Sequence, residues 1–133
     1  MATKQVVAIV DDDESIRTAT SRLVRSLGWE VHTYPCAKAF LAADATSVTC
    51  IVSDVQMPEM SGIEMLRLLK AQGSTVPVIF ITAFCTESIR REALRAGALA
   101  FLCKPVNGAE IQRHLDAVAA HAVGADASQP PRA

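Results

Sequence analysis

The sequence predicts an α/β domain: a doubly wound parallel sheet of five strands with five helices. Three observations lead there. Apolar runs of strand length alternate along the chain with amphipathic stretches of helix length. The most apolar runs, such as Val78-Ile79-Phe80-Ile81, lack the alternating polar residues of a sheet with one wet face, which is the pattern of strands covered on both sides. Several runs also stop on a polar or charged residue, and in open α/β sheets the carboxyl ends of the strands are where ligands bind.

Taken in order, Gln5 to Val10 is a near-continuous apolar run ending in Asp11-Asp12-Asp13-Glu14, a central strand with an acidic carboxyl end. Ser15 to Leu27 follows as a helix with Ile16, Ala19, Leu23, Val24 and Leu27 on one stripe, stopped by Gly28. Glu30 to Tyr34 alternates as an edge strand does, Pro35 ends it, and Cys36 to Ala43 is a short helix anchored by Phe40 and Leu41. Cys50-Ile51-Val52-Ser53-Asp54 is a strand that stops on a carboxylate. Pro58 and Gly62 mark the loop after it, and Ser61-Gly62-Ile63-Glu64 opens a helix to about Ala71 as a capping box, burying Ile63, Leu66 and Leu69.

Val78 to Ile81 is β-branched and aromatic, hence a buried strand, ending on Thr82. Thr86 to Ala96 is a helix with Ile89, Ala93 and Leu94 on one side, closed by Gly97. Leu99 to Leu102 is the last strand, ending at Cys103-Lys104-Pro105. Asn107-Gly108-Ala109-Glu110 reads as a second capping box before a helix carrying Ile111, Leu115, Val118, Ala119 and Ala122. Residues 1–122 form one domain on this reading. From Val123 the chain turns to Gly, Ala, Ser and Pro without periodicity, a linker or flexible tail over 123–133.

A chain of 133 residues, half hydrophobic and a fifth charged, has the composition of one globular domain. A formal net charge of -1 gives no electrostatic footprint for nucleic acid or an anionic membrane. No secretory signal opens the chain and no apolar stretch approaches bilayer length, so a cytoplasmic protein is expected. Cys36, Cys50, Cys85 and Cys103 form no C-x-x-C or zinc spacing and read as reduced, mostly buried small hydrophobes. Cys85 and Cys103 fall near the same sheet edge, which leaves thiol-based regulation as a side possibility.

The strand ends together offer Asp11 and Asp12, Asp54, Thr82 and Lys104. Three carboxylates within a few ångströms repel one another, so a divalent cation is expected there, and hard oxygen donors with room for waters favour Mg²⁺. Such a cation neutralises phosphoryl oxygens, an ammonium pairs with another oxygen, and a hydroxyl donates to a third. An aspartate in that setting can attack phosphorus, giving an aspartyl phosphate on Asp54. Asp13 and Glu14 have a plainer role, complementing a helix dipole.

At this point the sequence resembles the receiver domains of bacterial two-component response regulators. The matching residues are Val10-Asp11-Asp12, Asp54 with Met57-Pro58 and Ser61-Gly62, Ile81-Thr82-Ala83, Gly97-Ala98 and Lys104-Pro105, spread over about Val6 to Val118. The stretches Pro35 to Leu41 and Gly97 to Pro105 are similar to receivers that precede LuxR-type DNA-binding domains, such as the nitrogen-fixation regulators. The resemblance implies a flavodoxin-like sheet of order 2-1-3-4-5. It implies that Asp54 is the phosphoacceptor, that Asp11, Asp12, Asp54 and the main-chain carbonyl of Gln56 hold Mg²⁺, and that Thr82 and Lys104 engage the phosphoryl group. Phe101 matches the aromatic that turns inward when Thr82 moves, which remodels the face of the fourth helix, fifth strand and fifth helix. It further implies a cis Lys104–Pro105 bond, a sensor histidine kinase as donor, an effector domain or partner protein as target, and a homodimer on phosphorylation.

Two positions suggest tuning of the phosphoryl lifetime. Phe84, two residues after Thr82, stands where many relatives carry a residue able to orient or admit water, and Gln56 stands two after Asp54. Other functions fit less well. A magnesium-dependent aspartyl phosphatase needs a second acid/base aspartate where Gln56 stands, and a substrate cap. A flavodoxin-like FMN binder needs a hydroxyl- or glycine-rich loop where Asp11-Asp12-Asp13-Glu14 would repel phosphate. The chain also reads as the N-terminal part of a DNA-binding transcriptional regulator, with its tail a cut linker.

Overall fold

Buried backbone groups of a strand must pair with other strands, and five runs here do so in parallel, three of them covered on both faces and two at the edges of the sheet. The computed structural model describes residues 5–43 and 47–126. Its elements are β1 (Val6–Val10), α1 (Glu14–Ser26), β2 (Glu30–Tyr34), α2 (Ala37–Ala42), β3 (Val48–Ser53), α3 (Gly62–Ala71), β4 (Val78–Thr82), α4 (Glu87–Arg95), β5 (Ala100–Cys103) and α5 (Gly108–Asp126). The sheet runs β2-β1-β3-β4-β5, every pairing parallel. This is the flavodoxin-like order expected.

Alternation along each strand sorts the core into two layers. Val6, Ala8, Val10, Ile51 and Phe80 face one way and pack with Phe40 of α2, Ile63 and Leu66 of α3 and Ala93 of α4. Val7, Ile9, Val52, Ile79, Ile81 and Leu102 face the other way, against Val24 of α1 and Ile111, Leu115 and Val118 of α5. Each fully buried aliphatic or aromatic side chain contributes about 1.5–3 kcal/mol, and a slip of one residue would exchange the two layers. The strand ends are therefore held in fixed register.

Local chemistry sets the helix starts. Asp13 caps α1 by accepting from the Ile16 N–H at 3.1 Å, and Thr86 caps α4 by accepting from Ile89. The expected capping box at α3 is complete, with Ser61 Oγ accepting from the Glu64 N–H and Glu64 Oε1 accepting from the Ser61 N–H. At α5, Asn107 Oδ1 accepts from the Ala109 and Glu110 N–H groups, the forward half of the expected box.

Several details depart from the sequence reading. β3 starts at Val48, two residues early, because Val48 pairs with Val6 before the register shifts between Val6 and Val7. Ala19 is exposed, and the inner stripe of α1 passes through Thr20, Ser21 and Val24 instead, small side chains that let the helix sit close to the sheet. Leu94 is 37 % exposed, since it lies one helical step of about 100° from the buried Ala93. α5 continues to Asp126, into the segment expected as linker; residues 127–133 lie outside the described ones.

Gly62 is the tightest point in the frame. Its N–H donates to the Val55 carbonyl at 2.8 Å, and a Cβ there would collide with the Asp54 carbonyl oxygen and lie 2.7 Å from the Phe80 ring. Gly62→Ala is expected to cost about 2 kcal/mol by overpacking, lowering the urea midpoint at unchanged m-value. An unaltered midpoint would mean that α3 shifts freely and does not pin the loop after β3.

Candidate functional site

The last rungs of the sheet ladder carry the polar residues to one place. The Asp54 N–H donates to the Val10 carbonyl at 2.9 Å, tying the residue after β3 to the end of β1. The Lys104 N–H donates to the Thr82 carbonyl at 2.8 Å, tying the residue after β5 to the end of β4. Asp11, Asp54 and Lys104 each stand one position past a strand, where the backbone is still held but the side chain is free to turn inward. The Lys104–Pro105 peptide bond is cis, as expected.

Side chains converge there. The Lys104 ammonium donates to Asp54 Oδ2 at 3.1 Å and to Asp11 Oδ2 at 3.2 Å. Asp11 Oδ1 accepts from the Asp13 N–H at 2.9 Å, and Asp54 Oδ1 accepts from the Gln56 N–H at 3.3 Å. Asp11 and Asp54 are buried, whereas Asp12 is exposed. Carboxylate oxygens of all three lie within 4.8 Å of one another. Three carboxylates facing one ammonium leave an excess of two negative charges, and the open side at Asp12 leaves room for water. That donor set fits a divalent cation of the hard, oxygen-seeking kind.

The titration of these groups follows from their surroundings. Burial raises the Asp11 carboxyl above its ordinary value and the Asp54 charge adds to this, although the Asp13 N–H and Lys104 pull the other way. Burial alone would lower the Lys104 ammonium, but its hydrogen bonds and charge pairing with Asp54 and Asp11 outweigh that and hold it above the ordinary lysine value. The ammonium stays charged at neutral pH.

The remaining predicted residues are placed less centrally. Thr82 is fully buried at the end of β4, and its Oγ accepts from the Phe84 N–H at 3.0 Å, so the hydroxyl oxygen is engaged by its own loop. Phe84 is 56 % exposed on that loop, and Gln56 is exposed beside Asp54. Phe101 is half-buried, packed against the α2–α3–α4 side of the core.

Residues that sequence reasoning passed over complete the surroundings. Arg17 of α1 donates to the Asp11 carbonyl at 2.7 Å, Ser53 Oγ donates to the Asp54 carbonyl at 2.8 Å, and buried Thr20 lines the same small cavity as Asp11, Ser53 and Asp54. Arg17 lies six residues after Asp11, a spacing that points back to the strand end only once α1 is docked.

The cysteines require a correction. Cys85 and Cys103 are both exposed and are joined by a disulfide, with Cα atoms 5.8 Å apart. Cys103 is the β5 partner of Thr82 and Cys85 lies three residues after Thr82, so the loop leaving β4 curls back over the end of β5. The other two are free: Cys36 caps α2 with its sulfur, and Cys50 is a buried thiol that burial pushes up to about 12.

Comparison with known proteins places these features in context. The family model for the response regulator receiver domain matches residues 7–116. The response regulator protein TodT of Pseudomonas putida is 38% identical over 107 residues, covering 80% of this chain and 47% of the relative. The transcriptional regulatory protein FixJ of Bradyrhizobium diazoefficiens is 40% identical over 106 residues, covering 79% of this chain and 52% of the relative. This chain thus spans about half the length of the curated relatives it matches. The crystal structure of FixJ-N superposes with a TM-score of 0.81 at 32% identity, covering 90% of this chain and 97% of that one.

Removing the shared ammonium isolates its contribution. In EDTA at neutral pH, Lys104→Gln is expected to lose about 2 kcal/mol, because two buried carboxylates lose their partner. The folded-state pKa of Lys104 lies above the unfolded value of about 10.4, so the stabilisation is complete below that pH and disappears as pH rises through the folded value. Urea unfolding at stepped pH should show the parent converging on the variant only on the alkaline side of pH ~10 and again in the acidic carboxylate range. A gap that persists at high pH would assign the loss to packing of the lysine stem.

Proposed function

Because the chain belongs to the response regulator receiver family, in which phosphorylation of an aspartate controls output, we propose that it accepts a phosphoryl group on Asp54 from a sensor histidine kinase. The observation that carries this reading is the Lys104 ammonium held between Asp54 and Asp11 inside a cluster of three carboxylates. No other feature among the described residues joins a nucleophile, a cation site and a charge partner in this way.

On this reading Asp11, Asp12, Asp54 and the Gln56 carbonyl hold Mg²⁺, which when bound offsets the charge of the carboxylates and of the incoming phosphoryl oxygens. An Asp54 carboxylate oxygen attacks phosphorus; the O–P bond forms as the bond from phosphorus to the donor's imidazole nitrogen breaks. The Gln56 and Asp13 N–H groups orient the Asp54 and Asp11 carboxylates. Lys104 exchanges its hydrogen bond to Asp54 for one to a phosphoryl oxygen while Asp11 continues to position it.

The switch follows from charge. The phosphoryl group brings up to about two negative charges and new acceptor oxygens. Thr82 gives up the Phe84 N–H and donates its own hydroxyl to the new group, Phe101 moves further into the space this vacates, and the α4–β5–α5 face changes shape. A partner protein, an effector domain or a second copy of the chain reads that face. The domain turns over no metabolite; its own chemistry is self-phosphorylation from small donors and slow autodephosphorylation.

The curated relatives are named as response or transcriptional regulators and are about twice as long. The output we propose is accordingly control of transcription through an effector domain, with this domain itself making no contact with nucleic acid. Among the described residues no helix is long and apolar enough to cross a membrane, and the proposed place of action is the cytoplasm.

Incubation with acetyl phosphate and Mg²⁺ is expected to add one phosphoryl mass to the intact protein, stable in acid and lost in base. Asp54→Asn or EDTA should abolish it, and a parent that stays unmodified with every donor and metal tried would overturn the reading. Phe84 is expected to slow attack by water on the aspartyl phosphate. Phe84→His should therefore shorten its lifetime at least about tenfold, a small part of the roughly 10²–10⁴-fold that one positioned acid–base group contributes. Equal autodephosphorylation rates would remove Phe84 from this role.

A further inference from the structure

The disulfide closes the loop after β4, the segment whose Phe84 N–H the proposed switch takes off Thr82. At its near end, Thr82 is fixed by the β4–β5 ladder and by the Lys104 N–H on its carbonyl. At its far end, Cys85 is bonded covalently to Cys103, the residue that precedes Lys104. Between them the Phe84 N–H occupies the Thr82 hydroxyl oxygen, and Cys85 Sγ lies 3.4 Å from the Thr82 carbonyl oxygen. Residues 82 to 85 thus form a small closed loop stapled to the end of β5, one residue before Lys104.

We propose that Cys85 and Cys103 form a reversible disulfide that clamps the loop after β4 in its unphosphorylated position, making phosphorylation of the domain sensitive to the thiol–disulfide balance around it. The proposal rests on the receiver reading above. With the bond closed, residues 83 to 85 are held to Cys103, and the Phe84 N–H stays on the Thr82 hydroxyl oxygen that the switch requires it to leave. With the bond open, residues 83 to 85 follow Thr82 and only hydrogen bonds are exchanged.

The chemistry is balanced by a small disulfide, R–S–S–R, as oxidant. The thiolate of one cysteine attacks it, a mixed disulfide forms and R–S⁻ leaves; the second thiolate then displaces the other R–S⁻ and closes the Cys85–Cys103 bond. Two electrons pass to the small disulfide, and the two cysteine protons end on two R–SH. Excess small thiol reverses both steps. Both cysteines are exposed, as such a reagent requires, and their Cα separation of 5.8 Å lies within the window that a disulfide spans without backbone movement. Disulfides of cytosolic proteins are in the main transient and redox-sensing, which favours a switch over a structural staple.

The test uses the parent and Cys85→Ser, each equilibrated in oxidised or reduced glutathione buffer. Free thiols are blocked with an alkylating label, and the protein is then read by intact mass and peptide mapping. The expected results are a cross-linked Cys85–Cys103 peptide in the oxidised parent alone, and initial phosphorylation by acetyl phosphate and Mg²⁺ at least about fivefold slower for the oxidised parent than for the reduced one, the lower end of ordinary coupling between linked sites. Cys85→Ser should match the reduced parent in both buffers. Cys85 and Cys103 both carrying the label in every buffer, or a closed disulfide with an unaltered rate, would overturn the clamp while leaving the receiver reading in place. If the reduced parent takes up no phosphoryl group, the receiver reading fails and the clamp falls with it.

Discussion

One ammonium shared by two buried carboxylates is the constraint on which the site depends. Asp11 and Asp54 arrive from different strands, and without Lys104 their mutual repulsion and their burial would both oppose the folded state. One positive charge does not balance three negative ones, and this shortfall matters. The excess negative charge fits a divalent cation, and on the proposed reading it lets the lysine transfer a hydrogen bond to a new anion. A site neutralised in advance would have no reason to bind either.

The fold delivers this arrangement through backbone hydrogen bonds. The Val10 carbonyl holds Asp54, and the Thr82 carbonyl holds Lys104, so both residues are positioned by rungs of the sheet and not by loop contacts. Gly62 allows the chain after β3 to pass close to the Asp54 carbonyl, where a side chain would not fit. The part of the site with Asp11, Asp54 and Lys104 is therefore held by the sheet and borders the part built on the loop after β4. Thr82, the last residue of β4, joins the two parts: its carbonyl holds Lys104 while its hydroxyl oxygen accepts from the Phe84 N–H of that loop. The proposed relay uses this arrangement, with a sheet-held place for charge to arrive and a neighbouring segment that responds to it.

The proposed clamp would draw on the same geometry. Cys103 lies opposite Thr82 in the β4–β5 ladder, so the turn that brings Thr82 to the sheet edge also brings Cys85 over Cys103. The covalent bond then restrains the segment that phosphorylation is proposed to release. Buried Cys50 has no such access and serves only as core.

The sequence by itself determined the alternation of strands and helices, the buried runs, the capping box at Ser61 and Glu64, and the set of residues at the strand ends, because these are written in periodicity and in chemistry a few residues apart. Motif resemblance added the strand order and the cis bond before Pro105. Only the tertiary structure decided which partners those residues take. The Lys104–Asp11 pair spans 93 positions, Arg17 reaches Asp11 only after α1 docks, Thr20 replaces Ala19 on the inner stripe, and the Thr82 oxygen faces its own loop. The Cys85–Cys103 bond depends likewise on strand register, which side-chain packing over the whole sheet sets and no local pattern encodes.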